Sequence, residues 1–160
     1  MLITPVSLAV LGGGAALAGG LIGSSIGIAI AGSAGAATLS RDSRQLRNVI
    51  ILASIPMSQT FYGLIVLVLV LTTIAPNITA MPESDVGTGF AVLACSLIAA
   101  LAFCFSAAYK GSVCASGISL LPETGGRILT NSIMLAVFVE LIAVLGLVFT
   151  IMALSMLGLM

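Results

Sequence analysis

The chain alternates between long apolar runs and short polar joints. Apolar runs cover about residues 5–38, 48–75, 87–121 and 128–159, and the polar joints between them are 40–47, 76–85 and 122–127. Each run exceeds the ~20 residues that carry a helix across a bilayer. Inside lipid the backbone must satisfy its own polar groups, which leaves the helix as the element for isolated runs of this length. The pattern predicts four transmembrane helices, with the first and third long enough to protrude beyond the membrane.

The runs also repeat. The segment SSIGIAIAGSAG (Ser24 to Gly35) aligns with SAAYKGSVCASG (Ser106 to Gly117), and each is followed by a polar joint and another apolar helix. Further on, YGLIVLV (Tyr62 to Val68) aligns with LGLVFTI (Leu145 to Ile151), shifted by one residue relative to the first match. The expected organisation is all-α, as two tandem hairpins of the same orientation, 1–80 and 81–160. That is a parallel repeat, unlike the inverted repeats of many secondary transporters. Helix one carries small residues at every fourth position, Ala15, Gly19, Gly23, Gly27, Ala31 and Gly35; helix three echoes this less strictly from Cys95 to Ala115. Such a stripe lies on one helix face and lets backbones approach closely. It serves either packing within the chain or lateral packing of many copies around a narrow ring.

Composition agrees with the pattern. Of 160 residues, 60% are hydrophobic and only 6% charged, and the mean hydropathy is +1.32. A soluble domain carries about 25% charged residues, so membrane lipid is the expected surroundings. Net charge is zero with no basic patch, which argues against nucleic-acid binding. Histidine is absent, removing the usual near-neutral acid or base. Cys95, Cys104 and Cys114 have no metal-ligand spacing and read as small apolar residues. The N-terminus lacks the charged start of a signal peptide and reads as the first span. Arg41, Arg44, Arg47 and Arg127 lie in the first and third joints, whereas the middle joint holds Glu83 and Asp85. By the positive-inside rule, joints 40–47 and 122–127 face the cytoplasm and both termini lie outside.

One carboxylate breaks the fourth run. Glu140 lies 13 residues beyond Arg127, about 20 Å at ~1.5 Å per residue, and so deep in a ~30 Å hydrocarbon core. An ionisable group at that depth costs on the order of 2.5–3.5 kcal/mol, which marks it as functional. Gln59 lies 12 residues beyond Arg47 and Lys110 lies 12 before Pro122, so both share that depth, with Ser58, Thr60 and Tyr62 near the same level. A carboxylate with neutral amide and hydroxyl oxygens suits a hard monovalent cation, and Pro56 frees a backbone carbonyl nearby. Protonation of Glu140 neutralises the site equally well, so Na+ and H+ are both candidate cargoes. Gln59 and Ser58 are alternatively simple interhelical hydrogen-bonding residues, and Tyr62 a core residue. Lys110 pairs with Glu140, faces a hydrated lumen, or snorkels toward the surface.

The motifs IPMSQTFYG (Ile55 to Gly63) and VELIAVLG (Val139 to Gly146), with the glycine-rich first helix and the two parallel hairpins, resemble the proteolipid subunit of V-type ATPases, called subunit K in bacterial and archaeal-type forms. The resemblance implies a homo-oligomeric rotor ring that turns against a stator subunit. Together with central stalk subunits, the ring couples ion translocation to ATP hydrolysis in a separate soluble head. It implies that Glu140 is the ion-carrying carboxylate. In sodium-type members the ligands matching Ile55 (by its carbonyl), Ser58 and Gln59 join the carboxylate on the metal ion, with Tyr62 steadying it. Those members also carry glutamine in helix three, in a Y-Q-G context; this chain has Tyr109-Lys110-Gly111, so Lys110 becomes a modulator of the ion site. Aligning Gly63 with Gly146 puts Met57 opposite Glu140, giving one ion site per four helices. In the family this favours ATP-driven pumping over synthesis. No catalytic site is expected on the chain, which has no G-x-x-x-x-G-K-[ST] nucleotide loop. The alternatives are a small secondary transporter or channel using Glu140 and Lys110, and a purely structural membrane scaffold.

Overall fold

The computed structural model describes residues 4–80 and 86–160, and these are helical almost throughout. Four helices are long and apolar enough to cross a membrane: α1 (Pro5–Leu39), α2 (Ser43–Ala80), α3 (Val86–Ser119) and α4 (Ile128–Met156). Helix α1 has 35 residues, about 52 Å at the usual rise, so it outruns the hydrocarbon core as expected. Its start is fixed by a reciprocal cap. The Ser7 amide donates to Thr4 Oγ1 at 3.1 Å and the Thr4 amide donates to Ser7 Oγ at 3.0 Å. Pro5 fills the first turn, where its missing N–H costs nothing.

The polar joints prove shorter than the sequence suggests. Helix α2 begins at Ser43, on a 3-10 turn whose Arg44 amide donates to Asp42 at 3.1 Å. Residues 76–80 of the expected middle joint continue the same helix as Ala75–Ala80. Polar side chains mark where lipid ends, and a helix can continue past that level. Glu83, Asp85 and the proposed hairpin boundary fall at or within 81–85, outside the described residues. The third joint holds a helical turn, Leu121–Thr124, closed by Gly125 and Gly126 at φ +58° and +86°. That left-handed pair is a backbone path glycine takes without strain.

Two prolines shape α2. The helix tightens to a 3-10 turn over Ile55–Met57 around Pro56 and widens to a π turn over Val70–Ile74 ahead of Pro76. Each proline removes one N–H from the ladder, and the local change of winding absorbs the loss.

Helices α1 and α3 run parallel and in backbone contact. A Cβ on Gly19 would strike the Ala100 backbone, one on Gly23 the Cys104 backbone, and one on Gly27 that of Ala107, while Gly111 abuts the Gly27 backbone. The small-residue stripe of α1 therefore serves packing within the chain, the plainer of its two readings. A neighbouring face meets α2, with Gly13 against Leu67 and Gly20 against the Gln59 backbone. Helix α4 lies antiparallel on α3, where Thr150 Oγ1, which donates to the Gly146 carbonyl at 2.8 Å, also comes within 3.4 Å of the Cys95 carbonyl. Helices α2 and α4 meet on the outer side, and Asn77 Nδ2 donates to the Leu159 carbonyl at 2.9 Å.

The repeat is visible as one hydrogen bond made twice. Ser24 Oγ donates to the Pro56 carbonyl and Ser106 Oγ to the Val139 carbonyl, each at 2.8 Å. Ser24 aligns with Ser106 in the first sequence match, and Pro56 with Val139 in the second. Met57 is thereby the structural counterpart of Glu140. Replacing Gly27 by Ala should lower the melting midpoint in detergent by an overpacking cost of about 1–3 kcal/mol. Gly32→Ala, where a Cβ meets nothing within 4 Å, should leave the midpoint unchanged or raise it. Equal midpoints for the two variants would contradict the close α1–α3 approach.

Candidate ion-binding site

Three helices converge where α2 resumes after its 3-10 turn. Ser58 and Tyr62 stand one turn apart on α2, Ser106 and Lys110 one turn apart on α3, and Glu140 projects from α4. Residues at i and i+4 share a helix face, so each pair is aimed together. Helix α1 adds no charge here. Its Gly27 lies between Pro56 and the Ala107–Gly111 stretch, which lets α3 approach closely enough for Lys110 to reach across.

Glu140 Oε1 is the hub. Tyr62 Oη donates to it at 2.8 Å, and Lys110 Nζ lies 3.3 Å from the same oxygen in an ion pair. Lys110 Nζ also donates to Ser58 Oγ at 2.7 Å. The Ser58 hydroxyl, which has one proton, faces both the Ile55 carbonyl at 3.2 Å and Gln59 Oε1 at 3.1 Å. Gln59 Nε2 donates to Ser106 Oγ at 3.2 Å, which carries the network on to the Val139 carbonyl. Behind it the Tyr62 ring tilts against Phe103, with centroids 6.1 Å apart, a favourable aromatic geometry that holds the phenol in place.

Burial sets the electrostatics. The Lys110 side chain is 0% exposed and that of Glu140 22%, while Gln59 is fully buried. Removing one member of a buried pair strands its partner at a cost of about 3–5 kcal/mol. The three readings of Lys110 thus narrow to one, the pair with Glu140. Every sequence-predicted site residue is in the network: Glu140, Gln59, Ser58, Tyr62 and Lys110 by side chains, and Ile55 by its carbonyl. Ser106 was not anticipated. Its signal was available in its position one turn from Lys110 and opposite Ser24 in the repeat. Thr60, at the same depth, instead donates to the Gly20 carbonyl at 3.4 Å. Among the described residues no three His, Cys, Asp or Glu side chains cluster as a metal centre.

Comparison with known proteins adds the family. Residues 11–70 match the family of ATP synthase C subunits. The chain is 28% identical over 156 residues to the A-type ATP synthase subunit K of Methanocaldococcus jannaschii, an alignment covering 96% of this chain and 64% of that relative. It is 29% identical over 127 residues to the V-type sodium ATPase subunit K of Enterococcus hirae, covering 79% of this chain and 77% of that one. The chain is similar to subunit K proteins of A-type and V-type ATPases. The family match covers the first hairpin of the chain, including Ile55, Ser58, Gln59 and Tyr62 but not Lys110 or Glu140. The chain spans less than two thirds of the length of its Methanocaldococcus relative.

The duplicated serine bond offers a clean separation of structure from site. Ser24→Ala should lose about 1 kcal/mol of stability with its one interhelical hydrogen bond, and Ser106→Ala more, because its hydroxyl also accepts from the buried Gln59 amide. Only Ser106→Ala should also impair ion-coupled activity, because only Ser106 holds Gln59. Equal activity in the two variants would remove Ser106 from the site.

Proposed function

We propose that this chain is a V-type ATPase proteolipid, one member of a membrane rotor ring, and that Glu140 carries one monovalent cation per four-helix chain. The carrying observation is a carboxylate in the middle of a long apolar helix, hydrogen-bonded by Tyr62 and paired with Lys110, where the surrounding surface is apolar. Phe138, Leu141, Ile142 and Leu145 around it are all exposed. A site there faces either lipid or another copy of the chain, as an ion carrier that moves past a stator must. Each copy brings its cation to the stator boundary and exchanges it there.

Met57, the counterpart of Glu140, has no charge to contribute, so each hairpin pair carries one ion. Few ions per turn suit ATP-driven pumping. ATP is hydrolysed in a separate soluble head, reached through central stalk subunits, and this chain has no catalytic role. The arginine-bearing joints lie together at one end, where Gly126 approaches Asn48 and Gln45, and that end faces the cytoplasm with both termini outside. The sodium ATPase name of one relative makes Na+ a candidate cargo alongside H+.

The test is Glu140→Gln in the assembled complex. Ion-coupled ATPase activity should vanish, and carbodiimide, which modifies carboxyls in apolar surroundings, should label the native proteolipid at Glu140 and not the variant. Activity that survives the substitution would sink the proposal. A second reading, a small transporter built on Glu140 and Lys110, draws on the pair being complete within one chain. It predicts an assembly of few copies in mild detergent, where a ring predicts a large one.

A further inference from the structure

The oxygen set that would hold sodium already has an occupant. A sodium ion in this pocket would sit between the Glu140 carboxylate and the Ser58 hydroxyl, with the Gln59 and Ile55 oxygens behind. Lys110 Nζ stands between the first two, 3.3 Å from Glu140 Oε1 and 2.7 Å from Ser58 Oγ. The remaining two oxygens are turned to the Ser58 hydroxyl. The Lys110 stem is wholly buried, and its helix is held against α1 by the Gly27–Gly111 contact. The ammonium is therefore held against Glu140 and Ser58. An ammonium donates hydrogen bonds and accepts none, so it satisfies the same oxygens a bare cation would coordinate, and it repels a second cation at the same spot.

Resting on the reading of Glu140 as the carrier, we infer that Lys110 is the specificity-determining residue of the site. Its ammonium takes the place of a sodium ion between Glu140 and Ser58 and closes the site to sodium. The cargo of this rotor is then not sodium. Lys110→Gln removes the resident charge and supplies a neutral amide oxygen on the same face of α3, which converts a closed site into an open one.

Radioactive sodium retention by purified assemblies tests this directly, with Glu140→Gln as the background. Wild-type assemblies should retain no more sodium than that background, and sodium should not slow carbodiimide labelling of Glu140. Lys110→Gln assemblies should retain at least about tenfold more, one decade of affinity, and should gain protection by sodium. Retention by the wild type overturns the inference while leaving Glu140 as carrier. An assembled Lys110→Gln variant that binds no sodium overturns it as well. Should that variant fail to assemble, Lys110→Met keeps most of the stem without charge or oxygen. It should bind more sodium than wild type, and equality between them again overturns the inference. Failure of the carrier reading shows separately, as activity that survives Glu140→Gln.

Discussion

The backbone approach of α1 to α3 is the constraint on which the rest of the molecule depends. In lipid there is no hydrophobic force between apolar helices, so association rests on packing and on buried hydrogen bonds. Gly19, Gly23 and Gly27 leave no room for even a methyl group against α3, and Gly111 answers Gly27 from the other side. That contact fixes the rotation of α3. Ser106 and Lys110 then point away from α1 toward the seam between α2 and α4, where Ser58, Gln59 and Glu140 await them. A side chain at Gly27 would push apart the two helices and the Pro56 turn that it touches, and the polar network would lose its geometry with them.

Around that frame the site is a closed circuit of hydrogen bonds with one positive and one negative group. Low dielectric makes such a circuit strong when complete and costly when broken. The arrangement explains why a lysine can be buried at this depth at all, since its charge is matched by Glu140 and its protons have Ser58 and Glu140 to bind. The 3-10 turn at Pro56 has a parallel role on α2. It brings the Ile55 carbonyl under Ser58 and hands the Pro56 carbonyl to Ser24, tying the turn to the first helix.

Much of this was legible in the chain. Four spans, the parallel repeat, the shared depth of Gln59, Lys110 and Glu140, and the group of oxygens around Glu140 all follow from hydropathy, rise per residue and motif. Helix ends were less legible, because polar residues at 43–47 and 76–80 look like loop while the backbone stays helical. Ser106 was passed over because a serine in an apolar helix is ordinary by composition. Its importance comes from the direction it faces. The role of the glycine stripe was also open, since spacing identifies a packing face but not the helix that covers it.

The sequence by itself determined the class of molecule, the number of spans, the place of the carboxylate along its apolar run and the lack of a second one at Met57. Each is a property of one strand of chain, read from which residues lipid tolerates and how far apart they stand. Only the tertiary structure decided what Lys110 does. Position along the helix was fixed, but whether the ammonium meets Glu140, a lumen or the surface depends on the rotation of α3, and that is set by contacts with α1 eighty or more residues away in the chain. The charge between Glu140 and Ser58 is thus a consequence of glycines that never touch it.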